Sequence, residues 1–295
     1  MKNYSEILAK IIYDYVKQNK QLDFLFMDKI VEIIVNDEGL NDWVKLSLFE
    51  PSDEEENNEK VTALYRYKTR QLCIRKPEDL QTIIDNYVMY NFNPNYKNTI
   101  DKTYFDYLFV SRILSHELTH ANQFKDYFEN KKHDLEADLL RLTLTPVTIA
   151  SQYQKSDLLN LSSSELMLLY YKLMQIQSIY NKYHDYELHE RQANIISYGL
   201  MNEIAKILKI ESIQLLAQEK LQEMILMCYD SCESPTLYFL EKLDIDKKTL
   251  RQINKKSKKL DLEERLNLGL RISNREYKTK KLEYDDLIQK RRNIS

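Results

Sequence analysis

With 295 residues, 43% of them hydrophobic and 30% charged, the chain can bury a core of its own and has neither a disordered nor a membrane composition. Its 43 Lys and Arg against 46 Asp and Glu give a formal charge of -3, mixed along the chain, which offers no electrostatic footprint for nucleic acid. Cys73, Cys228 and Cys232 are an odd, sparse set that excludes a secreted disulfide framework, and free thiols are expected.

Only three glycines and five prolines are present, so few tight turns can form and long helices should dominate. Met1 to Lys20 carries Lys10, Asp14 and Lys17 among its apolar residues, so it lacks the core of a signal peptide. No stretch approaches the roughly 20 apolar residues that span a bilayer. A cytoplasmic location without a membrane partner is expected.

Apolar residues at helical spacing predict helices over residues 4–19 (Ile7, Leu8, Ile11, Ile12, Tyr15) and 22–36 (Phe26, Ile30, Ile33, Ile34). From Trp43 the pattern turns to short β-rich pieces, 44–49, 61–67 and 71–74, interrupted by an acidic loop over 52–60. They predict a small sheet of about three strands. Leu72-Cys73-Ile74 is expected at its edge, where an extended peptide could add as a further strand.

After a turn at Asn93-Pro94-Asn95, residues 103–128 are apolar on nearly every side, the mark of a buried helix. Ser162 with Glu165 three positions on predicts a capping box. The helix it opens should end near Tyr183, with Leu166, Leu169, Leu173, Ile176 and Tyr180 as its stripe. Residues 187–208 read as another helix, and the remainder as charged amphipathic helices with Pro235 at one boundary.

The buried helix carries His116-Glu117-Leu118-Thr119-His120. Positions four apart lie above one another on one helix face, so both imidazoles can reach a single ion. Glu117, one step round, stands beside such an ion and outside its ligand shell, where it can act as general base toward a water. Zinc is the expected cofactor, since two neutral nitrogens and a carboxylate with one open position form the usual catalytic site. An accidental match is the bland reading, at roughly 1% for a chain with few histidines.

Ser115 to Ala121, reading SHELTHA, resembles the active-site helix of the gluzincin metallopeptidases. That resemblance implies a third ligand that is a glutamate on a later helix. ImmA/IrrE-type peptidases are more similar still, with a small sheet before this helix and a Glu-x-x-Ala-Asn segment after it. Four carboxylates compete for the third position: Asp134, Glu136, Glu187 and Glu190.

If the buried helix runs to about residue 129, the chain travels roughly 13 Å from the metal before turning back, which brings Asp134 and Glu136 round too early. Glu190-Arg191-Gln192-Ala193-Asn194 matches the family segment, with Asn194 one turn on to buttress a ligand. The expected metal ligands are therefore His116, His120 and Glu190, with the other three acids still open. Tyr183, His184, Tyr186 and His189 are candidate oxyanion donors as well as packing residues.

The expectation is an α+β, mostly helical protein: a zincin-like core with a small sheet packed on the HExxH helix, a helical insertion and a helical C-terminal region. Residues 1–204 would form the metallopeptidase domain, with the insertion at about 145–186, and 205–295 the C-terminal region. The expected activity is that of a zinc metalloendopeptidase on intracellular protein or peptide substrates. The alternative is a metallopeptidase-like regulatory or protein-interaction module, docking through the region from about residue 205. Oligomeric state cannot be read from the sequence.

Overall fold

The computed structural model describes residues 4–49, 61–91, 102–129, 134–152, 162–230 and 233–293. The acidic segment 52–60, the Asn93-Pro94-Asn95 turn and Cys232 lie outside them. The protein is mostly helical with one small sheet, the expected coarse class. Among the described residues no helix is long and apolar enough to cross a membrane. Cys73 and Cys228 are buried free thiols.

The chain opens with α1 (Ser5–Lys17) and α2 (Phe24–Asp37). Asp23 starts α2 by accepting the Phe26 N–H at 2.7 Å, satisfying one donor of the first turn. Strands β1 (Lys45–Leu48), β2 (Ala63–Arg66) and β3 (Gln71–Ile74) follow. α3 (Pro77–Asn91) then precedes the long α4 (Lys102–Glu129).

Next come α5 (Leu135–Gln152), α6 (Ser163–Tyr183), a 3-10 turn (His184–Tyr186) and α7 (Leu188–Ile207). α8 (Glu211–Leu226), a 3-10 turn (Met227–Asp230), α9 (Pro235–Lys242), α10 (Lys247–Ser257), α11 (Leu262–Asn267) and α12 (Asn274–Asn293) complete the described order. α3 has no counterpart among the predicted elements. Its start signals were nonetheless present: Pro77 at the first position, Glu78 and Asp79 in the first turn.

The sheet order is β1-β3-β2, with β1 parallel and β2 antiparallel to β3. This corrects the expected edge. β3 lies in the centre with both sides paired, so its described residues offer no open edge to a peptide, and the outer strands are β1 and β2. The reason is the crossover: β2 and β3 pair as neighbours through Tyr67–Arg70, and β1 returns to pair with the far side of β3.

The chain divides into two compact units. The first comprises the described residues of Met1–Lys125, Ala193–Glu223 and Lys281–Ser295, the second those of Asp126–Gln192 and Met224–Lys280. In the first, Tyr15, Phe26 and Tyr107 meet edge to face at 4.9–5.9 Å between ring centroids. Phe105, Leu108, Val110 and Leu114 of α4 are fully or almost fully buried there. Such edge-to-face packing adds about 0.5–1.5 kcal/mol per pair beyond the area buried.

The core of the second unit is aliphatic, with Leu139, Leu188, Leu240 and Leu270 wholly buried. Arg191, 3% exposed, is its polar fastener. The guanidinium donates to the carbonyls of Met224 (2.7 Å), Ile225 and Leu266 (2.9 Å). Carbonyls near helix C-termini have no intrahelical donor, and a cation is the favoured partner for them.

Gly269 is the tight point of this unit. Its φ of +60° suits glycine, and a Cβ there would stand 2.7 Å from Thr236 Oγ1.

Candidate metal centre

The two motif histidines lie in the first unit on α4, a helix buried on several faces from Phe105 to Phe124. Ser111 and Thr119 point inward on it without penalty, because their hydroxyls donate back to the carbonyls of Tyr107 and Ser115 at 2.8 Å. His120 is 8% exposed and His116 half-buried. Their Nε2 atoms face each other at 3.2 Å. Two nitrogen ligands of one tetrahedral zinc, each about 2.0–2.1 Å from the ion, stand about 3.3–3.4 Å apart. The observed separation is close to that value.

His120 has a partner the sequence reading missed. Its Nδ1 lies 2.9 Å from Gln123 Oε1. With the amide oxygen accepting, the proton stays on Nδ1 and the lone pair on Nε2 is turned toward His116. Metal-binding histidines commonly donate their second ring N–H in this way, which fixes the tautomer and the ring angle. The sequence reading assigned such support to Asn194, which is half-buried one turn beyond Glu190 on α7. Gln123 was legible by the same rule, three residues after His120 and so on its side of the helix.

Glu117, 9% exposed, is held by the sheet. Its Oε2 accepts the backbone N–H of Tyr65 on β2 at 2.9 Å. Arg75 donates to the Thr62 carbonyl, so the even-numbered residues of β2 turn their polar groups toward β3. Tyr65, alternating with them, turns its N–H outward, where the carboxylate meets it. The Tyr67 and Phe124 rings stack at 4.4 Å and hold the strand against α4. The Tyr65 hydroxyl donates to the Trp43 carbonyl at 2.8 Å, and burial pushes that phenol up to about 12.

The remaining candidates lie in the second unit. Glu190 occupies the first turn of α7, where a carboxylate suits the positive end of the helix dipole. Its Oε1 is 3.6 Å from His184 Nε2 and 3.8 Å from His189 Nε2. Glu187, 2% exposed, places Oε2 3.2 Å from the same nitrogen of His189.

Asp134 is occupied as the cap of α5, accepting the Ala137 N–H at 2.8 Å, and Glu136 accepts from Gln192 Nε2 at 2.7 Å. Tyr183 and Tyr186 both pack on the Tyr238 ring, at 5.7 and 5.5 Å between centroids.

No known protein family, curated protein or solved structure matches the chain.

Proposed function

We propose that the chain is a zinc-dependent metalloendopeptidase acting on protein or peptide substrates, with a zincin-like core of the gluzincin type most similar to ImmA/IrrE peptidases. The observation that carries the reading is the 3.2 Å separation of the His116 and His120 Nε2 atoms, with Gln123 fixing the tautomer that leaves a lone pair for the ion. Bound there, zinc supplies Lewis acidity, polarising a peptide carbonyl and making a water acidic enough to lose a proton near neutrality. Glu117 accepts that proton and returns it to the leaving amine. The Tyr65 N–H keeps one of its oxygens in place, so the carboxylate does not have to be reoriented during the reaction.

Glu190 is our third ligand. α7 is one continuous helix, and Ala193, Ser197 and Tyr198, just beyond Glu190, are buried. Within the second unit, Glu187, His189 and Glu190 form a group of three donors that could hold an ion. Glu190 is preferred because its segment Glu190-Arg191-Gln192-Ala193-Asn194 matches the family pattern, and with His116 and His120 it would complete the His-His-Glu set of a catalytic zinc site.

The test is zinc content per chain, measured by plasma mass spectrometry, beside hydrolysis of candidate protein substrates. Wild type should hold close to one zinc, and His116→Ala, His120→Ala and Glu190→Ala should lose it, whereas Asp134→Ala, Glu136→Ala and Glu187→Ala should keep it. Glu117→Gln should stay loaded and folded, since the amide oxygen still accepts from Tyr65, yet hydrolyse nothing. Full zinc in His120→Ala would sink the site. Zinc binding without hydrolysis by wild type would favour the interaction-module reading instead.

A further inference from the structure

α6 is a 21-residue helix with no buried residue, although its sequence is rich in Leu, Met and Tyr. Its C-terminal half packs on the rest of the second unit: the Tyr180 hydroxyl donates to the Thr143 carbonyl, and the Tyr180 ring meets Phe239 at 5.3 Å between centroids. Leu169, Leu173 and Ile176, on that inward side, are only half-buried. On the other side Leu166, Met167, Tyr170, Tyr171 and Met174 are 38–62% exposed. At about 100° per residue these five fall within an arc of about 140°. No charged residue shares that arc between Ser163 and Asn181. Glu165 and Lys172 lie round the helix from it.

We propose that this face of α6 is a self-association surface, packing antiparallel against α6 of a second copy of the chain. The inference does not rest on the metal centre. Two properties select a second copy. The first is charge: a two-fold interface brings each patch against its own image, and an uncharged patch meets no like-charge penalty there.

The second is area. Taking about 200 Å² for a fully exposed side chain of this size, the five residues present roughly 550 Å². Interfaces are somewhat over half apolar, so this apolar centre implies about 950 Å² per partner, against about 800 Å² in a standard stable interface. Ser163 and Ser164 at one end and Gln177, Ser178 and Asn181 at the other are exposed, uncharged and able to form the polar rim. Tyr and Met are enriched at interface centres, and Lys and Glu depleted. The Tyr170 and Tyr171 rings already meet edge to face at 6.3 Å, which limits the ordering cost of association.

Sedimentation equilibrium of the full chain from about 1 to 100 µM should show a dimer. Met167→Glu with Tyr171→Glu should raise its dissociation constant about a hundredfold or more, by burying carboxylates against each other. Far-UV circular dichroism should be unchanged, because both residues are exposed. Tyr170→Cys, near the centre of the patch, should form a disulfide-linked dimer on mild oxidation. A wild type that is monomeric at 100 µM would overturn the proposal, as would a dimer that survives both charges, or a monomer that instead floats with neutral phosphatidylcholine vesicles.

Discussion

Gln123→Leu isolates the contribution of the residue behind the proposed metal site. The side chain is 6% exposed, and leucine keeps most of its volume while removing the oxygen that receives the His120 Nδ1 proton at 2.9 Å. A buried N–H without a partner costs about 1–3 kcal/mol. The imidazole can escape that cost by moving its proton to Nε2, the nitrogen the metal needs. Zinc binding must then reverse the tautomer, so the cost passes to affinity, a weakening of about 5- to 150-fold.

That range overlaps the 10- to 100-fold loss usual when a ligand's outer partner is removed. Competition against a chromogenic zinc chelator at fixed pH reads it directly. Gln123→Glu, whose carboxylate accepts the same proton more strongly, should bind zinc at least as tightly as wild type. If Gln123→Leu remains folded and its zinc affinity lies within twofold of wild type, Gln123 does not set the His120 tautomer.

Arg191→Met keeps the aliphatic stem but leaves three carbonyls without their donor, and should lower unfolding free energy by about 3 kcal/mol or more in urea titrations. A loss under 1 kcal/mol would mean that water takes over the guanidinium's role. Gly269→Ala must hold a side chain at φ +60° and push Thr236 Oγ1 away from a Cβ at 2.7 Å, for a destabilisation of about 2–3 kcal/mol, whereas Gly199→Ala, with nothing near its Cβ, should cost nothing.

Glu276 is held down at about 2, first by the Arg265 guanidinium and then by the Ser273 backbone N–H. A carboxylate with a depressed folded-state pKa stabilises above its ordinary pKa and loses that contribution as pH falls toward the folded value. Stability measured between pH 5 and 2.5 should therefore fall less steeply in Glu276→Gln than in wild type, and equal slopes would refute the pairing.

What could be read in the sequence was local. The approach of His116 to His120 depends on one turn of one helix. The capping box of α6 also formed as the letters imply, with Ser162 accepting from the Glu165 N–H and Glu165 from the Ser162 N–H. The strand Gln71–Ile74 appears with its predicted bounds, and Pro235 stands at the first position of α9.

What escaped was non-local, or carried by groups without a side-chain signature. Strand order depends on pairings across the β1 crossover, which periodicity does not encode. The donor that holds Glu117 is the backbone N–H of Tyr65, a group every residue but proline has. In α6 the predicted stripe ran through Leu166, yet Leu166 is 38% exposed, because the helix is apolar on two faces and spacing alone does not say which one turns inward.

Glu190 and Arg191 are neighbours in the first turn of α7, and neighbours on a helix point about 100° apart. The Arg191 guanidinium engages three carbonyls within its own unit, so the rotation of that turn about its axis is indexed like a key in a lock. The direction in which the Glu190 side chain leaves the helix is thereby set by the cation next to it in sequence. A chain altered only near Leu266 or Met224 would then lose alignment at Glu190, a defect to be traced to the helix's bearing rather than to its chemistry.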